Sequence, residues 1–217
     1  MNARRSLNLG LLAAATTAML SLGCATAPPV AEKMVLPPMG TVDTFHRKSS
    51  GSLGNYDGQV VWTFAPTTWQ GKPAISFGSP QAGASILDPA TFAILAGLNT
   101  AGQPVFSYDP PMDYRWPLEV GKTWTSTMTL TMLGSGQKIP LTIDSRVEAW
   151  EDVTVPAGTF KAYRVSWRNN LGEAETRWLS PQEGHATLKR HVERPASHPQ
   201  GAGVLDAVLL SRVLPAK

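Results

Sequence analysis

The thiol of Cys24, four imidazoles and a cluster of carboxylates are the side chains here whose types and spacing could do chemistry. The histidines are His46, His185, His191 and His198. His185 and His191 are six positions apart, so one uninterrupted strand would put them on the same face about 20 Å apart, too far for one metal ion. Glu148, Glu151 and Asp152 could pair for acid–base work or hold calcium, but a solvated strand end explains them more simply. The chain has no Gly-x-Ser-x-Gly elbow, His-Glu-x-x-His helix or phosphate-binding glycine loop. Lys189-Arg190-His191 with Arg194 forms a small basic cluster. It reads as a charged edge strand that discourages sheet-to-sheet pairing, with contact to anionic lipid headgroups as the alternative. No metal site, cofactor or catalytic residue is expected.

Cys24 is the single cysteine and ends Leu20-Ser21-Leu22-Gly23-Cys24. Arg4 and Arg5 precede an apolar run from Leu7 to Leu22, the order of a secretory signal. That run is shorter than the roughly 20 residues a membrane span needs. The arrangement resembles a bacterial lipoprotein signal, with residues 1–23 removed and Cys24 acylated. Ser21 stands where such signals usually carry leucine. Cleavage after Ala25-Thr26-Ala27 is the alternative, but Pro28 would then follow the cut. One thiol cannot make an intramolecular disulfide, so stability must come from the core.

The formal charge of +3 comes from 19 basic and 16 acidic residues. Losing Arg4 and Arg5 with the signal leaves +1, which gives no argument for a nucleic-acid partner. Ala25 follows the cysteine. By analogy with enteric bacteria, that favours an outer-membrane anchor facing the periplasm.

Such a site needs elements to carry it. Residues 24–39 include Pro28, Pro29, Pro37 and Pro38 and read as a tether able to span roughly 45 Å if polyproline-like. A docked amino-terminal edge strand is the other reading. Residues 40–217 form one domain rich in Gly, Pro, Thr and Trp, with turn signals between alternating runs, which predicts antiparallel β structure. From Thr123 to Leu133, Trp124, Ser126, Met128, Leu130 and Met132 share one face and threonines the other. Leu133-Gly134-Ser135-Gly136 turns into a second alternating strand through Leu141, Ile143 and Val147. Further strands are expected at 59–64, 74–77, 91–98, 103–108, 160–167, 175–179, 186–192 and 204–213. Asp88-Pro89-Ala90 could instead cap a short helix reaching Leu98.

Two motifs carry a family likeness. They are Pro117-Leu118-Glu119-Val120-Gly121-Lys122-Thr123-Trp124 and Glu151-Asp152-Val153-Thr154-Val155-Pro156-Ala157-Gly158-Thr159-Phe160, followed by Trp178-Leu179-Ser180-Pro181-Gln182-Glu183-Gly184 with Lys189 beyond. This set resembles the TapB-like and related periplasmic domains of unknown function, over about Asp113 to Arg190. The resemblance implies a single strongly curved antiparallel sheet or half-barrel, related to the carriers LolA and LolB, and brings no catalytic residue.

Seven tryptophans are the remaining resource for binding. If the sheet is open on one face, Trp124, Trp167 and Trp178 would line an apolar groove. The leading expectation is a non-enzymatic, lipid-anchored envelope protein that binds a protein partner or supports envelope assembly. A carrier of a lipid or other apolar ligand in the concavity is the alternative, and predicts an internal space of a few hundred Å³. A hydrolase would need a paired nucleophile and base, which no motif supplies.

Overall fold

The computed structural model describes residues 28–216; Cys24 and the signal segment lie outside the described residues. The chain lays down β1 (Val42–Gly51), β2 (Tyr56–Trp69), β3 (Lys72–Ser79), β4 (Gly83–Leu87), β5 (Ile94–Leu98) and β6 (Pro104–Met112). It continues through β7 (Thr123–Met132), β8 (Gln137–Val155), β9 (Gly158–Asn169) and β10 (Ala174–Ser180). A single 3-10 turn at Pro181–Glu183 leads to β11 (His185–Arg194) and β12 (Gly203–Val213). Each strand pairs antiparallel with the next, and β12 pairs with β1 to close an up-and-down barrel. The expected curved sheet is present, and its curvature is carried to full closure.

Closure removes the sheet's edges, so β11 is flanked by β10 and β12 and is not the edge strand its basic residues suggested. Alternation explains which residues fill the barrel. In β7, Ser126 and Met128 are buried while Thr125 and Thr127 are exposed. In β8, Leu141, Ile143, Ser145 and Val147 are buried, and Asp144, Arg146 and Glu148 between them are exposed. Other outward positions carry His46, Lys48, Lys189 and Asp206, all exposed or charged. A membrane-spanning barrel shows the reverse pattern, with an apolar band outside.

Two strands were not foreseen. β1 runs through His46, Arg47, Lys48, Ser49 and Ser50, whose polarity hides its phase. β4 has only five residues. Before β5, the Asp88 carboxylate accepts the Ala90 N–H (2.9 Å), the Thr91 N–H (2.8 Å) and the Thr91 hydroxyl (2.9 Å). These are the bonds of a helix N-cap, and the Phe92 N–H closes one turn on the Asp88 carbonyl at 2.9 Å, but Phe92 then takes φ +62°, which ends the turn, and β5 begins at Ile94.

The segment expected to be a tether is docked on the barrel, though not as an edge strand. Ala31 and Leu118 exchange both backbone hydrogen bonds (2.9 and 2.8 Å), and Val35 donates to the Pro181 carbonyl at 2.9 Å. The Tyr163 hydroxyl donates to the Pro29 carbonyl. Ala31, Met34 and Leu118 are buried with Phe64, Leu87, Phe92, Tyr163 and Leu179, stoppering one end of the barrel. The approach needs Gly184, which has φ +71° and whose Cβ position would lie 2.9 Å from the Val35 carbonyl oxygen. Apolar burial of Ala31, Met34 and Leu118, with these hydrogen bonds, holds the segment against the barrel.

Candidate ligand cavity

A row of arginines crosses the interior wall of the barrel. Arg47 of β1 pairs in register with Ala207 of β12, which pairs with Arg190 of β11, which pairs with Arg177 of β10. Paired residues share a face, and neighbouring strands lie about 4.8 Å apart. The phase is fixed by apolar neighbours two positions away: Leu188 and Val192 flank Arg190, and Leu179 follows Arg177, all buried.

One carboxylate answers this row. Glu175 is buried on β10 and accepts from Arg177 Nε at 2.6 Å and from an Arg190 terminal nitrogen at 2.7 Å. Burial alone would raise its pKa, but the two guanidinium charges and their hydrogen bonds hold it below the usual carboxylate range. The same pairing keeps Arg177 charged in spite of its burial. Beside them, Arg194 pairs with Glu173 and reaches Gln200 at 2.6 Å. Arg47 donates to the Leu53 carbonyl at 3.0 Å. Burial, and then the nearby charge of Arg190, lowers the Arg47 pKa. The Nε atoms of Arg47 and Arg190 are both buried without a hydrogen-bond partner.

Arg47, Glu173, Glu175, Arg177 and Arg190 face a cavity of about 300 Å³. Its apolar wall includes Phe45, Trp62, Phe77, Leu87, Phe106 and Trp167. Trp62 and Phe64 both stack on Phe77, with ring centroids 4.9 and 4.3 Å away. Gly97 makes room for Phe106, since a Cβ there would lie 2.3 Å from the phenyl ring. The Tyr108 phenol also faces this space, and burial, with the charges of Glu173 and Glu175, pushes its pKa up to about 12. Along β10 the inward sequence Glu175, Arg177, Leu179 runs from the charged region toward the stoppered end. The charges therefore lie between two apolar stretches of the wall: Phe45, Trp62, Phe77 and Leu87 toward the stopper, and Trp167, Ile143, Leu141 and Leu205 farther from it.

The three tryptophans expected in a groove divide. Trp167 lines the cavity, and Trp124 lines a small adjoining space with Trp167, Tyr114 and Arg177. Trp178 lies on the opposite face of β10 from Arg177 and Leu179. It sits outside the barrel, donating to Glu151 at 2.7 Å beneath the Lys189 ammonium, 4.9 Å from its ring centre. Alternation on β10 cannot point Trp178 inward while Arg177 and Leu179 are inside.

The basic cluster divides in the same way. Arg190 points in, whereas Lys189 and His191 point out, His191 to Asp206 at 2.8 Å. His185, at the start of β11, is buried against Phe160 of β9. The carboxylates Glu148 and Asp152 take separate cations, Arg146 and Lys161. Glu175, Arg177 and Arg47 were overlooked as site residues. The available signal was a charge in the inward phase of an apolar strand, as in Arg177-x-Leu179 and Leu188-x-Arg190-x-Val192.

Together these features define a closed antiparallel barrel with an amphipathic interior. Two bacterial proteins are among the solved structures to which this chain is similar. A Bacteroides fragilis protein with a YmcC-like fold aligns at 13% identity and a TM-score of 0.46, covering 84% of this chain and 100% of its own. The hypothetical lipoprotein YmcC from Escherichia coli aligns at 9% identity and a TM-score of 0.44, over 83% of this chain and 86% of its own. No family model and no curated protein matches the sequence, so the TapB-like resemblance of the motifs has no family match behind it.

Proposed function

We propose that this protein is a non-enzymatic binding protein of the bacterial cell envelope, which holds one small apolar or amphipathic ligand inside its barrel. The observation that carries the reading is the aromatic-walled cavity of about 300 Å³. Ligand sites are concave, mostly apolar and furnished with a few convergent polar groups, typically in spaces of about 300–1,000 Å³. The polar side chains in this cavity include three arginines, two glutamates and two phenols, a set suited to attracting and orienting a ligand. Envelope location rests on the signal before Cys24, whose acylation would anchor the barrel to the outer membrane, facing the periplasm. Docking of a protein partner on the outer wall is the competing use of the same fold.

Native mass spectrometry of the full chain from its own membrane, beside Cys24→Ser and Ala207→Phe variants, tests both parts. The reading expects a diacyl or triacyl mass lost in Cys24→Ser, and a non-covalent ligand lost in Ala207→Phe, where the new ring fills the cavity. A soluble chain cleaved after Ala27 would overturn the anchor. A ligand-free barrel that also takes up no added apolar probe would overturn the carrier reading.

A further inference from the structure

We propose that the ligand is an amphiphile with a single oxyanion head, carboxylate or phosphate, held by Arg47 and Arg190, and an apolar tail lying toward the stoppered end. The inference rests on the cavity-binding reading and adds the chemistry of the ligand.

Three guanidinium groups, Arg47, Arg177 and Arg190, occupy one row of the wall, and Glu175 is the carboxylate bonded to that row. Glu173 is taken by Arg194 and leaves the row unanswered. Buried charge is costly unless it is paired and hydrogen-bonded. Arg177 is satisfied by Glu175, and the unmet donors belong to Arg47 and Arg190, one on each side of Ala207. Ala207 has the small side chain that leaves room between them. Two planar guanidinium forks facing one space suit a carboxylate or phosphate, which can accept parallel hydrogen bonds from each.

The stopper side of the wall offers the tail an aromatic stretch that begins directly beside Arg47. On β1, Phe45 lies two residues from Arg47 on the same face, toward the stopper. Trp62, Phe77 and Leu87 continue that apolar lining to the buried cluster around Phe64 and Leu118. An anionic head at the arginine row and a hydrocarbon tail among these rings satisfy both the charged row and this aromatic stretch. A neutral ligand would leave the guanidinium donors unmet, and a cationic one would be repelled.

The test is titration of the full-length chain, stripped of co-purifying amphiphiles, followed by intrinsic fluorescence and calorimetry. The probes are dodecanoate, dodecyl phosphate, dodecanol and dodecyltrimethylammonium, each below its micellisation concentration. At least one of the two anions is expected to bind about tenfold or more tighter than dodecanol, with the ammonium weakest. Whichever anion is tighter assigns the head as carboxylate or phosphate. Arg47→Gln and Arg190→Gln should each weaken that anion about tenfold while leaving dodecanol unchanged, and Arg47→Lys should recover part of the loss. Unchanged dodecanol binding also shows that each variant is folded. Equal affinity for dodecanoate, dodecyl phosphate and dodecanol would overturn the anion assignment and leave the carrier reading standing. Anion preference unaltered by either Gln variant would overturn the role of these two arginines. Failure of every probe would overturn the carrier reading beneath them.

Discussion

Asp43 and Arg212 stand directly opposite each other across the seam where the first and last strands close the barrel. Arg212 donates from Nε and from a terminal nitrogen to the two carboxylate oxygens, both at 2.7 Å, and its other terminal nitrogen reaches the Gly184 carbonyl at 3.1 Å. Both side chains are largely buried, at 12% and 2% exposure. Arg212→Ala strands the Asp43 carboxylate, and a broken buried pair of this kind costs about 3–5 kcal/mol. Urea denaturation should show that loss, and hydrogen exchange should place the new opening in β1 and β12. Asp43→Leu/Arg212→Met should regain most of the stability, because an apolar pair leaves no charge unpaired.

The stopper is predicted to contribute to folding as well as to cover the cavity. Leu118 is fully buried between the amino-terminal segment and the barrel end. Leu118→Ala should destabilise by about 2–5 kcal/mol, the usual range for such a truncation. Limited proteolysis should then cut within residues 29–36 before any strand. Cleavage elsewhere first would mean that the segment is not held chiefly by this contact.

His185 predicts an acid limb in the stability curve. Burial, and next the charge of Arg212, lowers its pKa from 6.5 to about 4. Between those values the unfolded chain binds a proton that the folded chain refuses. Stability is therefore complete above pH 6.5 and falls as the pH drops toward 4, by about 3 kcal/mol in all. Thermal melts across that range should flatten in His185→Leu relative to the parent chain. An unchanged acid slope would assign the effect to other groups.

Tryptophan fluorescence separates the inside of the barrel from the outside. Trp167→Phe and Trp62→Phe should each remove part of the emission change caused by an apolar probe, since both indoles line the cavity. Trp178→Phe should leave that change intact, because its ring is bound outside to Glu151 and Lys189. A lost response in Trp178→Phe alone would place the ligand on the outer wall.

Sequence by itself determined the antiparallel class, most strand positions and the hairpin turns, because these are local. Alternation along Thr123–Met132 sorts Met128 from Thr127 without any distant contact, and Gly134-Ser135-Gly136 can only turn. It likewise placed Trp167 on the face shared with Tyr163 and Val165. Tertiary structure decided the rest. Whether a curved sheet stops as a half-barrel or closes depends on β1 meeting β12, whose paired Asp43 and Arg212 are 169 residues apart. The binding groups have the same origin. Arg47, Arg177 and Arg190 look like unrelated surface charges along the chain, and only the register of four strands aligns them on one wall. Periodicity gives the face of a residue within its own strand; the partner across the barrel, and the space left between them, exist only once the strands have paired.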